Sequence, residues 1–309
     1  MKRFLTVVLT TLILFNCVGC SKIKKVDPND KNANTNVSNY PVTVDKLTFK
    51  EAPKTVVSLS PALTEILYEI GVGKKLVARS NYCSFPEEVK SLPSAGSPAK
   101  PDIEAILKLK PEIVVTQSPI AQLDVNTLET SGIKVLTIAP PKTYYELLDT
   151  YARLSLIFLG NNSANDMTTK MTAKLDNALA KAQEKKSTNS FVFIITSDLA
   201  VATGDTLSGN ILSVFGNNIA KDAKNYTMPV AEIVAAAPTI VFVSNDVDLT
   251  KLPPELLALP AFANGKVVKV DYSLFEKPTS RLSTVIQDIS TKLGDTAIES
   301  QVDSSSLGK

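Results

Sequence analysis

The sequence predicts an α/β protein of two lobes, each a mostly parallel sheet flanked by helices, with one long interdomain helix joining them. Its clearest internal signal is a stretch that occurs twice. Pro101–Pro111 reads as a short helix opened and closed by proline, and Ile113–Thr116 follows as a buried strand. Pro229–Pro238 and Thr239–Ser244 repeat that order, and in each copy a glutamate (Glu104, Glu232) stands three residues after the opening proline. Around both copies, strands alternate with helices, the pattern of a parallel sheet covered on both faces. Between the copies, 144–186 carries helical periodicity and divides at Gly160–Ser163. Its second part places Met167, Met171, Leu175 and Leu179 in near-heptad steps. A helix of about 23 residues there is about 35 Å long and can reach from one lobe to the other.

The 309 residues suffice for two lobes with their own cores. The 44% apolar and 21% charged fractions are those of a globular chain. The formal charge of +2 comes wholly from Lys2 and Arg3, which leaves 31 basic and 31 acidic residues in the remainder. No basic stripe marks a nucleic-acid partner. Histidine is absent, which excludes Ser-His and Cys-His catalysis and imidazole-ligated metals. Neither a Gly-x-Ser-x-Gly elbow nor a glycine loop for phosphate is present. The expectation is no enzyme, no resident cofactor and no metal site. Of three cysteines, Cys17 and Cys20 are N-terminal, so Cys83 has no disulfide framework around it.

Taken in order, residues 1–19 read as a signal peptide. Lys2 and Arg3 precede the apolar run Phe4–Phe15, which is too short for a span of about 20 residues. The run ends at Cys17–Cys20, which resembles a bacterial lipobox with Cys17 where leucine is usual. Cys20 is then the acylated N-terminus and a membrane anchor; a plain secretory signal is the alternative. Residues 20–50 are expected to form a flexible tether, since 21–40 hold few large apolar side chains. The N-terminal lobe is assigned to 51–160, the interdomain helix to 161–187, the C-terminal lobe to 188–296 and a frayed tail to 297–309. Within the lobes, strands are expected at 54–60, 76–78, 113–116, 134–138, 191–196, 200–203 and 266–271. Helices are expected at 63–70, 125–130, 210–215 and 281–293.

Val56–Leu67, Tyr82–Glu88 and Pro101–Val114 resemble the helical-hinge substrate-binding proteins of ABC importers, especially their cobalamin-binding branch. The likeness continues through Thr203–Asp205, Asn210–Leu212, Leu259–Val267 and Phe275–Leu282, and spans about residues 54–295. It implies a ligand cleft between lobes that move little. It also implies a permease with its ATPase subunits as partner, an extracytoplasmic location and one glutamate per lobe offered to permease arginines. Glu104 and Glu232 match those acids. Taken alone they would be first-turn acids stabilising a helix start by about 0.3–1 kcal/mol each.

Candidate ligand contacts come from loops at the carboxyl ends of strands, where open α/β sheets place ligands. Tyr82 follows the second strand, where the resemblance implies an aromatic contact; a plain surface tyrosine is the bland reading. Gln117 follows the strand after the first copy of the repeat. Ser97, Tyr226 and Met228 precede the two repeated helices, and Tyr272, Ser273, Glu276 and Arg281 belong to the last loop. Arg281 is also suited to tying that loop down. The resemblance implies a cobalamin or other corrinoid as ligand and a monomeric chain. Cobalamin binders of the family commonly line the cleft with tryptophan, whereas this chain has none. A ferric siderophore or haem is the alternative ligand, and an α/β cleft hydrolase the alternative of another class.

Overall fold

A computed structural model of the chain describes residues 39–184 and 188–305, with side chains as far as 294. The signal segment 1–19, Cys20 and the tether as far as residue 38 lie outside the described residues, as does the extreme C-terminus.

The described chain opens with a hairpin, β1 (Val42–Val44) paired antiparallel with β2 (Leu47–Phe49). This corrects the extent of the expected tether. Val42, Val44 and Phe49 are buried, which gives this short segment enough apolar contact to fold onto the body. The N-terminal lobe then follows as β3 (Val56–Ser58), α1 (Pro61–Glu69) and β4 (Leu76–Arg79). A small hairpin, β5 (Gly96–Ser97) with β6 (Lys100–Pro101), leads into α2 (Ile103–Leu109) and β7 (Ile113–Thr116). The lobe closes with α3 (Gln122–Thr130) and β8 (Lys134–Thr137).

Two helices, α4 (Tyr144–Leu159) and α5 (Asn161–Glu184), lead to the second lobe. That lobe contains β9 (Ser190–Ile194), α6 (Leu207–Ile211), β10 (Asn217–Asn218), α7 (Val230–Ala236) and β11 (Ile240–Ser244). It ends with α8 (Pro254–Leu257), α9 (Pro260–Ala263), β12 (Val267–Val270), α10 (Ser273–Glu276) and α11 (Leu282–Ser305).

The two sheets have the same topology. The first is ordered β4-β3-β7-β8 and the second β10-β9-β11-β12, with every pairing parallel. In each, the first strand of the lobe lies between its second and third, and the point where the order reverses is where such sheets bind ligands. Residues alternate between two apolar layers, as a pleated strand requires. Val56, Ile113 and Val115 face an inner cluster shared with Phe191, Phe193 and Phe242 of the second lobe. Val57, Leu59 and Val114 face an outer cluster under α2 and α3, and Val192, Ile194, Val241 and Val243 face its counterpart in the second lobe. The long helices therefore cover an inner core common to both lobes.

Some sequence expectations change. Residues 200–203 form no strand: Val201 makes one isolated bridge to Ile194. The helix expected to start at Asn210 begins earlier, capped by Thr206, and ends in a 3-10 turn at Leu212–Val214. The last helix extends through Ser305 into the expected tail. The long helix α5 also has a companion. The Tyr144 hydroxyl meets Asp176, so α4 and α5 lie antiparallel, and Gly160 reverses the chain between them. Asn39 grips that reversal. Its carbonyl and Oδ1 accept the N–H groups of Asn161 and Asn162, and its Nδ2 donates to the Leu159 carbonyl at 2.9 Å.

Candidate interlobe ligand site

Gln117 and its neighbours occupy the switch point of the first lobe. Ser60, at the carboxyl end of β3, caps α1 by accepting the Leu63 N–H at 3.3 Å. Its own proton goes to Gln117 Oε1 at 2.6 Å. That bond fixes the orientation of the amide and leaves Gln117 Nε2 buried with no hydrogen-bond partner. A buried, unmatched donor is unusual enough to single this position out. Ser60 was not picked out from sequence, although a serine before a proline-opened helix is a recognisable cap.

Tyr82 projects from the loop after β4 with 65% of its surface exposed. The β5–β6 hairpin supports this loop, since Asn81 N–H donates to the Gly96 carbonyl at 2.8 Å. Ser97 in that hairpin accepts the Lys100 N–H at 3.2 Å. Phe85, also overlooked in the sequence, is 46% exposed and stacks under the guanidinium of Arg281, 4.2 Å from ring centre to Cζ. The signal that could have found it is a large aromatic in a short polar loop.

In the second lobe Tyr226 and Tyr272 come together. Burial pushes the Tyr272 phenol well above its ordinary range, and the Tyr226 hydroxyl hydrogen-bonded to it adds to the shift. Tyr272 therefore stays neutral. Tyr272 stacks on Phe275 at 6.2 Å and meets Phe193 edge-on at 5.8 Å, so its ring is anchored to the inner core. Tyr226 is held differently. It and Asn225 have φ of 59° and 56°, the left-handed region, and for a tyrosine this costs about 1–2 kcal/mol. The Thr203 hydroxyl accepts the Tyr226 N–H at 3.3 Å, and the Val201 N–H donates to the Tyr226 carbonyl at 2.9 Å. Asp205 accepts the Asn225 N–H and the Thr203 hydroxyl, and the latter bond chiefly holds its carboxyl below the usual range. Backbone strain of this kind collects at functional positions.

The remaining expected contacts are differently employed. Met228 packs against the outer core of the second lobe. Asp271 accepts both the Ser273 hydroxyl at 2.6 Å and the Ser273 N–H at 3.1 Å, whereas Glu276 at the end of α10 is exposed. Arg281 donates to Glu65 Oε2 at 3.0 Å, and that carboxylate is almost wholly buried. Burial raises the Glu65 pKa, and the bond and charge of Arg281 only partly counter it.

Glu104 and Glu232 are exposed at the starts of α2 and α7. The repeat is real in three dimensions: both helices have seven residues, bury an isoleucine (Ile106, Ile233) and end on a left-handed residue, Lys110 or Ala237. The glutamates are nevertheless one helical position apart, second in α2 and third in α7. The opening prolines are not equivalent, because Asp102 caps α2 whereas Pro229 itself occupies the cap position of α7.

Two lobes of one topology, each presenting polar groups from the carboxyl ends of its strands, define a cleft-type binding protein. The sequence profile of the periplasmic binding protein family matches residues 56–273, and the chain belongs to that family. It is 26% identical to an uncharacterised ABC transporter substrate-binding lipoprotein, YvrC, of Bacillus subtilis (strain 168), over 89% of this chain and 92% of the relative. It is 25% identical to the vitamin B12-binding protein of Photorhabdus laumondii, over 79% of this chain and 89% of the relative. In fold it matches the crystal structure of a possible iron-binding (periplasmic solute-binding) protein of Staphylococcus epidermidis. The TM-score is 0.69 at 19% identity, covering 79% of this chain and 99% of the other. The chain is thus a substrate-binding protein of the ABC-importer type, a family of extracytoplasmic proteins that bind small molecules and work with a permease and its ATPase.

Proposed function

We propose that the chain captures a corrinoid outside the cell, held at the membrane through lipid on Cys20, and delivers it as a monomer to an ABC permease. The observation that carries the ligand choice is the unpartnered Gln117 amide at the first lobe's switch point. The other groups on hand are also neutral donors: Tyr82, Tyr226, Tyr272 and Ser97. Arg281, the arginine among the candidate contacts, is already paired with Glu65. Haem propionates or an anionic siderophore call for cations that stay unpaired until the ligand arrives. A corrinoid, rimmed by neutral amide side chains, is matched by neutral hydrogen-bonding groups and aromatic rings. The vitamin B12-binding relative supports the same choice.

A thermal-shift panel with cyanocobalamin, cobinamide, haemin and a ferric siderophore tests this reading. A ligand at about 100 times its dissociation constant stabilises by about 2.7 kcal/mol. The expected result is a shift with the corrinoids alone; a shift with haemin or the siderophore and none with either corrinoid overturns it.

A further inference from the structure

The connection between the lobes is not carried by α4 and α5 alone. The segment Thr279–Arg281, which leads into α11 of the second lobe, grips α1 of the first lobe at two carboxylates. Ser280 Oγ donates to Glu69 Oε1 at 2.8 Å, and the Ser280 N–H donates to the Tyr151 phenol oxygen at 2.8 Å. The Tyr151 hydroxyl in turn donates to the other oxygen of Glu69. One turn away along α1, Glu65 accepts from Arg281. Glu65 is 2% exposed, and Tyr151 and Thr279 are fully buried.

Among the described residues, the side chains that donate to these two acids are Tyr151 of α4 and Ser280 and Arg281 of the second lobe. In the assembled chain Glu65 is buried and Glu69 half-buried, so losing these donors would leave the acids poorly satisfied, at a high cost in free energy. Such a network gives little net stability, but it makes one arrangement of the lobes far better than its neighbours. It also reaches the cleft. The Arg281 guanidinium, fixed at one nitrogen by Glu65, lies over the half-exposed ring of Phe85, three residues beyond Tyr82.

We infer that Thr279–Arg281 is a second interlobe tie, and that Arg281 is a positioning residue through which the second lobe holds the Asn81–Pro86 ligand loop of the first. The cleft is therefore preset before any ligand enters. This holds whichever ligand the cleft takes, and its test needs no ligand.

Amide hydrogen exchange on the full chain reads the tie directly. Arg281→Met is expected to speed exchange in α1 and in 81–86 by about tenfold or more, together with 279–282, while β7 and β11 keep their protection. Acceleration confined to 279–282 would overturn the proposal. If Arg281→Met fails to fold, two milder changes decide. Arg281→Lys keeps the charge but loses the planar stack, so it should loosen 81–86 while α1 stays close to the parent. Ser280→Ala should loosen α1 around Glu69 and leave 81–86 protected. Equal loosening of both segments by each of these variants, or of neither, would contradict the division of the tie into two contacts.

Discussion

At Glu65 the fold holds a carboxyl above its ordinary titration range because burial disfavours its charge, and Arg281 offsets only part of that. Protonating Glu65 therefore favours the folded state, and this contribution fades as pH rises through the folded-state pKa. Arg281→Met removes the countering charge and raises that pKa further. The variant should be less stable than the parent by about 2 kcal/mol at neutral pH, below the figure for a fully buried pair because Arg281 is about one-third exposed. The deficit should shrink as the pH falls through the raised Glu65 pKa toward the ordinary carboxylate range. Denaturant titrations across that range check it; a deficit independent of pH would place the loss in packing against Phe85 instead. Tyr226 offers the opposite kind of residue. Asparagine tolerates the left-handed region, so Tyr226→Asn should leave the melting temperature unchanged or slightly raised. The same variant should bind cyanocobalamin about tenfold more weakly, by loss of a ring and a phenol from the site. Parallel thermal melts and binding titrations separate the two effects.

At the scale of elements, the paired units α2–β7 and α7–β11 were legible in the sequence because proline, an apolar period and a glutamate recur together. Their one-position offset was not, since Asp102 and Pro229 fill the cap position by different chemistry and only the backbone shows where each helix starts. Topology alone places Gln117 at the switch point, whereas its partner Ser60 needed the geometry of the α1 cap. The cross-lobe contact of Arg281 joins residues 216 apart in sequence, beyond the reach of local patterning. The hairpin at 42–49 was hidden by its polar neighbours, because three buried side chains over eight residues are a weak signal. If α2 and α7 are the docking elements, Glu104→Arg with Glu232→Arg should leave ligand affinity intact and abolish uptake, as expected where charge complementarity sets orientation on a partner. Normal uptake by that double variant would end the docking role. Gly160 is the sharpest structural constraint between elements. Its φ of 77° and a would-be Cβ only 2.6 Å from Asn39 imply that Gly160→Ala costs about 2 kcal/mol or more, which a denaturation curve measures.

On the scale of the whole molecule, the inner core runs without a break from β3 and β7 through α4 and α5 to β9 and β11. The lobes share this core, two antiparallel helices and the tie at Thr279–Arg281. They should therefore unfold together, and calorimetry should show one transition with matching calorimetric and van't Hoff enthalpies. Two separated transitions would mean that the lobes are independent. A cleft preset in this way binds by complementarity and not by closure, so its chemistry has to be read in the static arrangement of Gln117, Tyr82, Tyr226 and Tyr272. The most direct measurement of that reading is an equilibrium titration of the full chain with cyanocobalamin, run beside haemin and a Gln117→Leu variant. Saturable corrinoid binding, about tenfold weaker or more in the variant that lacks the amide donor, is the predicted result. Saturable haemin binding with no response to cyanocobalamin would contradict it.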